Sequence, residues 1–316
     1  MSRRMSFKKA FGNIRMLSVI IIVFGMAVSC RENRLAAPDP ITGKRQGDKY
    51  YVTNGQVRLG VDLARGGSIF YFSGAAGQNL LNHADEGRFI QQSYYGEPDG
   101  SNWHGKPWVW NPIQGGGSNG EKARILSFGI ENDTLRIVSE PVHWASGQPV
   151  TEAEMEARIT MKGDVVHIRY TLRNTGEGAS DHPAAHQELP AVFVDFDLPY
   201  MVYYGGEKPW TGDTLTHVVP GWPNEEHTRT EEWGAYTDST GWGIGVYTPG
   251  TPLCTAYRFA GDGVGGPDGG ACSYFAPVRM FAILKDMTFR YDVYLSEGKV
   301  EDMRAAFDSI RTESSR

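Results

Sequence analysis

Alternation of apolar and polar residues recurs along this chain and limits its fold more than any other feature. Val57, Leu59 and Val61 alternate with polar or small neighbours, as do Met155, Ala157, Ile159 and Met161. Val166, Ile168, Tyr170 and Leu172 repeat the pattern, and so do Phe289, Tyr291, Val293 and Leu295. Successive side chains of a strand point to opposite faces, so each run predicts a strand with one face on a core. Residues that accept positive φ stand where such strands must reverse: Asn54-Gly55, Asn132-Asp133 and Lys162-Gly163-Asp164. Thirty-nine glycines and seventeen prolines suit a sheet protein with long loops. A convincing helical period occurs only from Lys299 to Ile310, where Val300, Met303, Phe307 and Ile310 share one face. The prediction is an all-β chain, a large antiparallel sandwich with a short C-terminal helix.

The start of the chain has three zones. Arg3, Arg4, Lys8, Lys9 and Arg15 make a cationic opening, and Met16 to Val28 is an apolar run too short to span a bilayer comfortably. Ala27-Val28-Ser29-Cys30 follows and resembles the lipobox of bacterial lipoproteins, although a Leu is more usual where Ala27 stands. The alternative is an ordinary cleaved signal with a chance cysteine at its end. In the lipoprotein reading residues 1–29 are removed and a diacylated Cys30 anchors the protein, since stable attachment needs two acyl chains. Residues 30–47 then form a polar tether, 48–298 a single β domain, and 299–316 the helix and tail. The expected location is the cell envelope, in the periplasm or on the outer membrane.

Loss of residues 1–29 removes five basic and no acidic residues, which takes the formal charge from −6 to −11. A surface of that sign repels phosphate backbones, and no basic stripe interrupts it, so no nucleic-acid partner is expected. No partner chain is indicated either, and a monomer is expected. With Cys30 lipidated, Cys254 and Cys272 remain as an even pair in an oxidising compartment. They flank the glycine-rich stretch Gly261 to Gly270, and a disulfide there would contribute about 3 kcal/mol. The alternative is two buried free thiols.

Four stretches collect polar and aromatic residues. Gly77 to Gly96 holds Asn79, Asn82, His83, Asp85, Arg88, Gln91, Gln92, Tyr94 and Tyr95. Its arginine offers a fork of donors and its amides can read hydroxyl groups, unless Arg88 and Asp85 are a structural pair beneath a turn. Asn102 to Gly117 carries three tryptophans within eight residues. Trp108 and Trp110 share a parity, so on an extended segment they form a flat platform for the apolar faces of sugar rings, with Asn111 and Gln114 taking hydroxyls. The alternative is a hydrophobic plug at one end of the sandwich. In Asp181 to Asp197, Pro183 and the β-rich flanks argue against a zinc site built on His182 and His186. On a strand His186 and Glu188 project together, either as an acid/base pair or as a satisfied hydrogen-bonded pair. Glu231 to Gly250 is mostly structural, with Trp233 a candidate for lining a cleft.

The order of these features resembles the galactose-mutarotase-like supersandwich, the fold of aldose 1-epimerases and related carbohydrate-active enzymes. The resemblance rests on Arg65 to Phe72, Gly77-Gln78-Asn79-Leu80, Gly87-Arg88, Arg173-Asn174-Thr175-Gly176 leading to His186, and Trp233 before Trp242-Gly243-Ile244-Gly245-Val246. It covers roughly residues 48–297. It implies that Arg88 binds substrate and that His186 is the general acid. The general base of the epimerases is a Glu near the C-terminus, whereas Arg258 to Met280 here holds no Glu and only Asp262 and Asp268 as acids. That departure counts against epimerase activity. No cofactor is expected; calcium with oxygen ligands is implied only as a group such folds can hold, since no acidic run here has a recognisable loop pattern.

Three readings follow. The first is an exported enzyme that cleaves an oligo- or polysaccharide by hydrolysis or elimination. His186 and Glu188 handle protons, with Tyr94 or Tyr95 as base in the eliminating version. Arg88, Asn82, Asn111 and Gln114 hold the sugar, and Trp108, Trp110 and Trp233 line the cleft. The second is a mutarotase, and the third a glycan-binding lipoprotein without chemistry. The enzymatic reading requires Arg88, His186 and Glu188 to converge on one cleft.

Overall fold

The computed structural model describes residues 37–74 and 77–314. The signal segment, Cys30 and residues 31–36 lie outside the described residues. A first antiparallel sheet runs in chain order through β1 (Thr42–Gln46), β2 (Lys49–Thr53), β3 (Val57–Asp62) and β4 (Ser68–Gly74). Its first strand falls inside the stretch read as tether. All five residues of β1 are exposed, so no apolar period announced it; it pairs with β2 through the backbone ladder, with the Thr42 hydroxyl also donating to the Thr53 carbonyl.

A two-stranded hairpin comprises β6 (Pro98–Trp103) and β7 (Lys106–Val109). A seven-stranded sheet combines β5 (Gln91–Ser93), β8 (Pro112–Ile113), β11 (Val142–His143), β14 (His182–Asp195), β17 (Glu225–Thr228), β20 (Leu253–Phe259) and β21 (Cys272–Ile283), ordered β11-β8-β5-β14-β21-β20-β17. A nine-stranded sheet combines β9 (Arg124–Glu131), β10 (Thr134–Glu140), β12 (Ala153–Lys162), β13 (Val165–Asn174), β15 (Tyr200–Tyr203), β16 (Thr216–Val218), β18 (Trp233–Thr237), β19 (Trp242–Tyr247) and β22 (Met287–Lys299), ordered β16-β15-β18-β19-β22-β13-β12-β10-β9. Every pairing is antiparallel, as the alternation predicts. Leu59, Met155, Ile159, Val166, Ile168, Leu172, Val293 and Leu295 all enter the main core, joined by Val192, Val194 and Phe275 of the seven-stranded sheet. The turn at Asn132-Asp133 joins β9 to β10 with both residues at positive φ, and Gly55 and Gly163 take positive φ at the other two predicted reversals.

The helix α1 (Val300–Ser314) continues directly from β22. It buries Val300, Met303 and Phe307 against the face of the nine-stranded sheet away from the main core. It runs past Ile310 because the last turn is held by side chains rather than an apolar stripe: Arg311 pairs with Asp308 at 2.6 Å and the Thr312 hydroxyl donates to the Asp308 carbonyl at 2.9 Å. Trp233 belongs to this helix interface and not to a cleft. Its ring lies 6.0 Å from that of Phe307, and its indole donates to Glu231, which Arg304 of α1 grips with two nitrogens at 2.6 and 2.9 Å.

The Cys254–Cys272 disulfide does not form; both thiols are free and buried. The register explains why. Cys254 stands opposite Pro277 and Cys272 opposite Phe259, five pairs apart along the β20–β21 ladder. They also face opposite sides of the sheet, Cys254 in the main core and Cys272 on the outer face. The glycine-rich stretch is ordered instead by side chains from residues 82–88. The Asn82 amide donates to the carbonyls of Gly266, Gly269 and Ala271, and Arg88 donates to that of Gly270. Accordingly, Cys254 and Cys272 are expected to resist thiol labelling until the fold is denatured, and reductant is expected to leave the denaturation midpoint unchanged. Residue-resolved labelling by mass spectrometry checks this, since a disulfide closing that loop would shift stability by about 3 kcal/mol.

Candidate functional site

The seven-stranded sheet is used on both faces. Leu189, Val192 and Val194 of β14 enter the main core, while Ala191 and Phe193 face outward into a second apolar cluster with Tyr257 and Tyr274. The pairing of β14 shifts register between Glu188 and Ala191 on one side and between Glu188 and Val192 on the other. That irregularity brings Glu188 onto the same outer face as Ala191 and Phe193, which unbroken alternation would forbid. On this face opens a cavity of about 590 Å³, within the ~300–1,000 Å³ range of small-ligand sites.

Ser93 of β5, Glu188, Ala191 and Phe193 of β14, Tyr274 of β21 and Tyr257 of β20 form the floor. One wall is the β6–β7 hairpin with Trp103, His104 and Trp108, backed by Trp144 after β11. The Trp103 ring lies 4.8 Å from Trp108 and 5.9 Å from Trp144. Trp222, Pro223 and Asn224, just ahead of β17, make the other wall. The strand order places β5 and β8, from which the hairpin springs, towards one edge of the sheet and β17 at the other.

Glu188 is the chemical centre of the floor. Tyr274 donates its hydroxyl to the Glu188 carboxyl at 2.5 Å, and Ser93 and Tyr95 place theirs beside it. Burial pushes the carboxyl above its ordinary value and outweighs the hydrogen bond from Tyr274 and the nearby Ser93 and Tyr95 hydroxyls, which favour the charged form. The same burial, reinforced by Glu188, raises the tyrosines Tyr95 and Tyr274 well above the phenol range. Asp85, the second carboxylate of the cavity, is paired with Arg88 Nε at 3.0 Å. The Arg88 guanidinium also lies 5.6 Å from the Phe259 ring, so it supports the cavity while its donors serve Asp85 and Gly270.

Of the residues read as site candidates, Arg88, Tyr95, Trp108, Asn111 and Glu188 line the cavity. Asn111 does so with its amide committed: it donates to the Tyr94 carbonyl at 2.6 Å and accepts the Trp108 indole N–H at 3.1 Å, which fixes that ring. His186 stands outside, exposed, with Nδ1 4.0 Å from Glu226, so it does not converge with Arg88 and Glu188. Tyr94 points into the main core and donates to Gln92 at 2.9 Å, with burial holding its hydroxyl protonated; on β5 and its continuation Gln91, Ser93 and Tyr95 face the cavity instead. Gln114 is buried between Gly66 and Gln92, and Asn82 serves the glycine-rich stretch. Trp110 stacks on His182 at 3.9 Å and donates to Glu152, because β7 ends at Val109 and the parity it would share with Trp108 is lost. No platform of Trp108 and Trp110 exists; Trp108 pairs with Trp103. Sequence reading passed over Trp103, Trp144, Trp222, Tyr257 and Tyr274 as cleft residues; only the strand register brings them together. Among the described residues no three His, Cys, Asp or Glu side chains gather as a metal ion would need.

Neither the family models nor the curated protein sequences compared with the chain match it. Solved structures do. A candidate aldose 1-epimerase from Escherichia coli K12 superposes with a TM-score of 0.50 at 12% identity, over 82% of this chain and 100% of that one. A galactose mutarotase-like protein from Clostridium acetobutylicum does so with a TM-score of 0.50 at 9% identity, over 83% and 99%. The fold is galactose-mutarotase-like. At such identities the likeness concerns the architecture, and a fold of this kind carries more than one chemistry.

Burial of the Glu188 carboxyl has a consequence for stability. A carboxyl whose folded pKa is raised binds its proton more tightly when folded, so its contribution is fully present at low pH and is lost as pH rises from the unfolded value, about 4.3, through the folded one. Glu188→Gln removes that loss. Its thermal midpoint is expected to match wild type in acid and to exceed it progressively towards neutral pH; a lower midpoint at neutral pH shows instead that the floor favours the charged form.

Proposed function

We propose that the protein is an exported, lipid-anchored enzyme that hydrolyses an oligo- or polysaccharide, with Glu188 as the proton donor. The observation that carries this reading is a half-buried carboxyl, hydrogen-bonded by Tyr274 and with its pKa raised, on the floor of a cavity walled by tryptophan. A carboxyl whose hold on its proton is strengthened by its surroundings is suited to act as a general acid. Indole rings offer flat apolar faces to the C–H faces of sugars, and the cavity's cation, Arg88, is matched by Asp85, which suits a neutral sugar.

In this mechanism Glu188 gives its proton to the glycosidic oxygen as the bond from that oxygen to the anomeric carbon breaks. The leaving sugar departs as an alcohol. Asp85, oriented by Arg88, takes a proton from the water that adds to the anomeric carbon, and proton exchange with solvent restores both carboxyls. Tyr274 holds the Glu188 carboxyl in place through its hydrogen bond. Elimination is less well supported, because Tyr95, the remaining candidate base, has its proton affinity raised by burial and by Glu188. Ring opening with His186 as acid is less well supported too, since His186 stands outside the cavity.

Glu188→Gln is expected to reduce cleavage by about 10²- to 10⁴-fold while bound oligosaccharide is retained. For the wild-type enzyme the rate is expected to fall as pH rises through the raised Glu188 pKa, because only the protonated form acts. Product mass decides between readings: products whose masses sum to the substrate plus one water support hydrolysis, products that sum to the substrate's own mass with one sugar unsaturated mean elimination, and saturable binding without product means a glycan-binding protein.

Export rests on the cationic opening, the apolar run Met16 to Val28 and the small residues before Cys30. Mass spectrometry of the mature protein is expected to find an acylated N-terminal Cys30, and Cys30→Ser to release the protein from membranes. An unmodified cysteine in a membrane-free wild-type protein overturns the anchor.

A further inference from the structure

The tip of the β6–β7 hairpin carries a histidine where Asn is the more usual residue. Trp103 pairs with Lys106, so His104-Gly105 is a two-residue turn, with φ of 49° and 78°. Both positive values define the turn that matches sheet twist and is served best by Asn-Gly. The same chain follows that rule where the turn has no cavity to serve: Glu131 pairs with Thr134 across Asn132-Asp133, at φ of 48° and 55°. At the hairpin tip a histidine takes the first position, with its ring 4.9 Å from Trp103 and lining the cavity. Across the sheet the facing wall ends in Trp222, which is 62% exposed. Its ring is braced by Tyr257 at 4.8 Å, nearly perpendicular at 88°, and by Phe259 at 5.0 Å, which fixes the plane while leaving much of it uncovered.

We propose that His104 and Trp222 extend the cavity into an outer sugar-binding region, the imidazole on one wall hydrogen-bonding the hydroxyls of a bound oligosaccharide and the indole on the other stacking on a ring beyond the one over Glu188. The inference rests on the carbohydrate reading and adds to it that the protein is built for a chain of two or more neutral sugars rather than a single one. The floor from β5 through β14 and β21 to β20 spans three strand spacings, about 14 Å, which leaves room beyond the sugar held over Glu188. An imidazole placed at the rim has both ring nitrogens available for hydroxyl donors and acceptors.

The test uses Glu188→Gln as a non-cleaving background and calorimetric titration with neutral gluco-, galacto-, manno- and xylo-oligosaccharides of one to four sugars. Affinity is expected to rise at least tenfold from one sugar to two or three. Adding His104→Asn is expected to remove most of that rise while holding or raising the thermal midpoint, since Asn suits the turn better. Trp222→Ala is expected to remove the same increment. Loss of stability with no change in the chain-length increment, or equal affinity for one sugar and for chains, overturns the outer subsite alone. Absence of binding by every sugar overturns the carbohydrate reading together with it.

Discussion

One constraint organises the molecule: a single sheet must satisfy a dry core on one face and a cavity on the other. Strict alternation along β14 would place Glu188 and Ala191 on opposite faces. The register shift between them allows both on the outer face, while Leu189, Val192 and Val194 remain in the core. The cavity floor exists because of that local break. The strands beside it, β20 and β21, need no such device, since Tyr257, Phe259, Cys272 and Tyr274 already alternate outward.

The cost of the arrangement falls on Glu188. A carboxyl taken out of water is disfavoured in its charged form, and the Tyr274, Ser93 and Tyr95 hydroxyls compensate only in part. A floor meant only for packing would be cheaper with Leu or Met there. Arg88 shows the opposite treatment. Its charge is answered by Asp85 and by the Gly270 carbonyl, so it acts as a strut between the cavity and the glycine-rich stretch. A disulfide expected to order that stretch is thus replaced by Asn82 and Arg88, which reach it from nearly two hundred residues away in sequence.

The architecture was legible where one residue's neighbours in sequence decide its environment. Val166 to Leu172 and Met155 to Met161 alternate without interruption and became central strands, and Asn132-Asp133 and Gly163 became turns. The helix was visible through Val300, Met303 and Phe307, though its last turn was not, because it is held by Asp308 rather than by an apolar stripe. The site was legible only in part. Arg88, Trp108, Asn111 and Glu188 are where a dense polar and aromatic composition pointed. His186, Tyr94, Trp110, Trp233 and Gln114 drew notice for the same chemistry yet face elsewhere, since composition carries no information on which face a side chain takes. Trp222, Tyr257 and Tyr274 come from distant segments that only long-range strand pairing assembles.

The β6–β7 hairpin is joined to the rest by few attachments: the Asp99–His143 pair at 2.8 Å, the Trp108–Asn111 hydrogen bond and the contact of Trp103 with Trp144. Its two strands bond to each other rather than to either large sheet. Such an element is an exchangeable module. Lengthening it or re-lettering its tip leaves the sandwich, the register shift and the Glu188 carboxyl in place, so the wall of the cavity can vary at little risk to the folding of the rest.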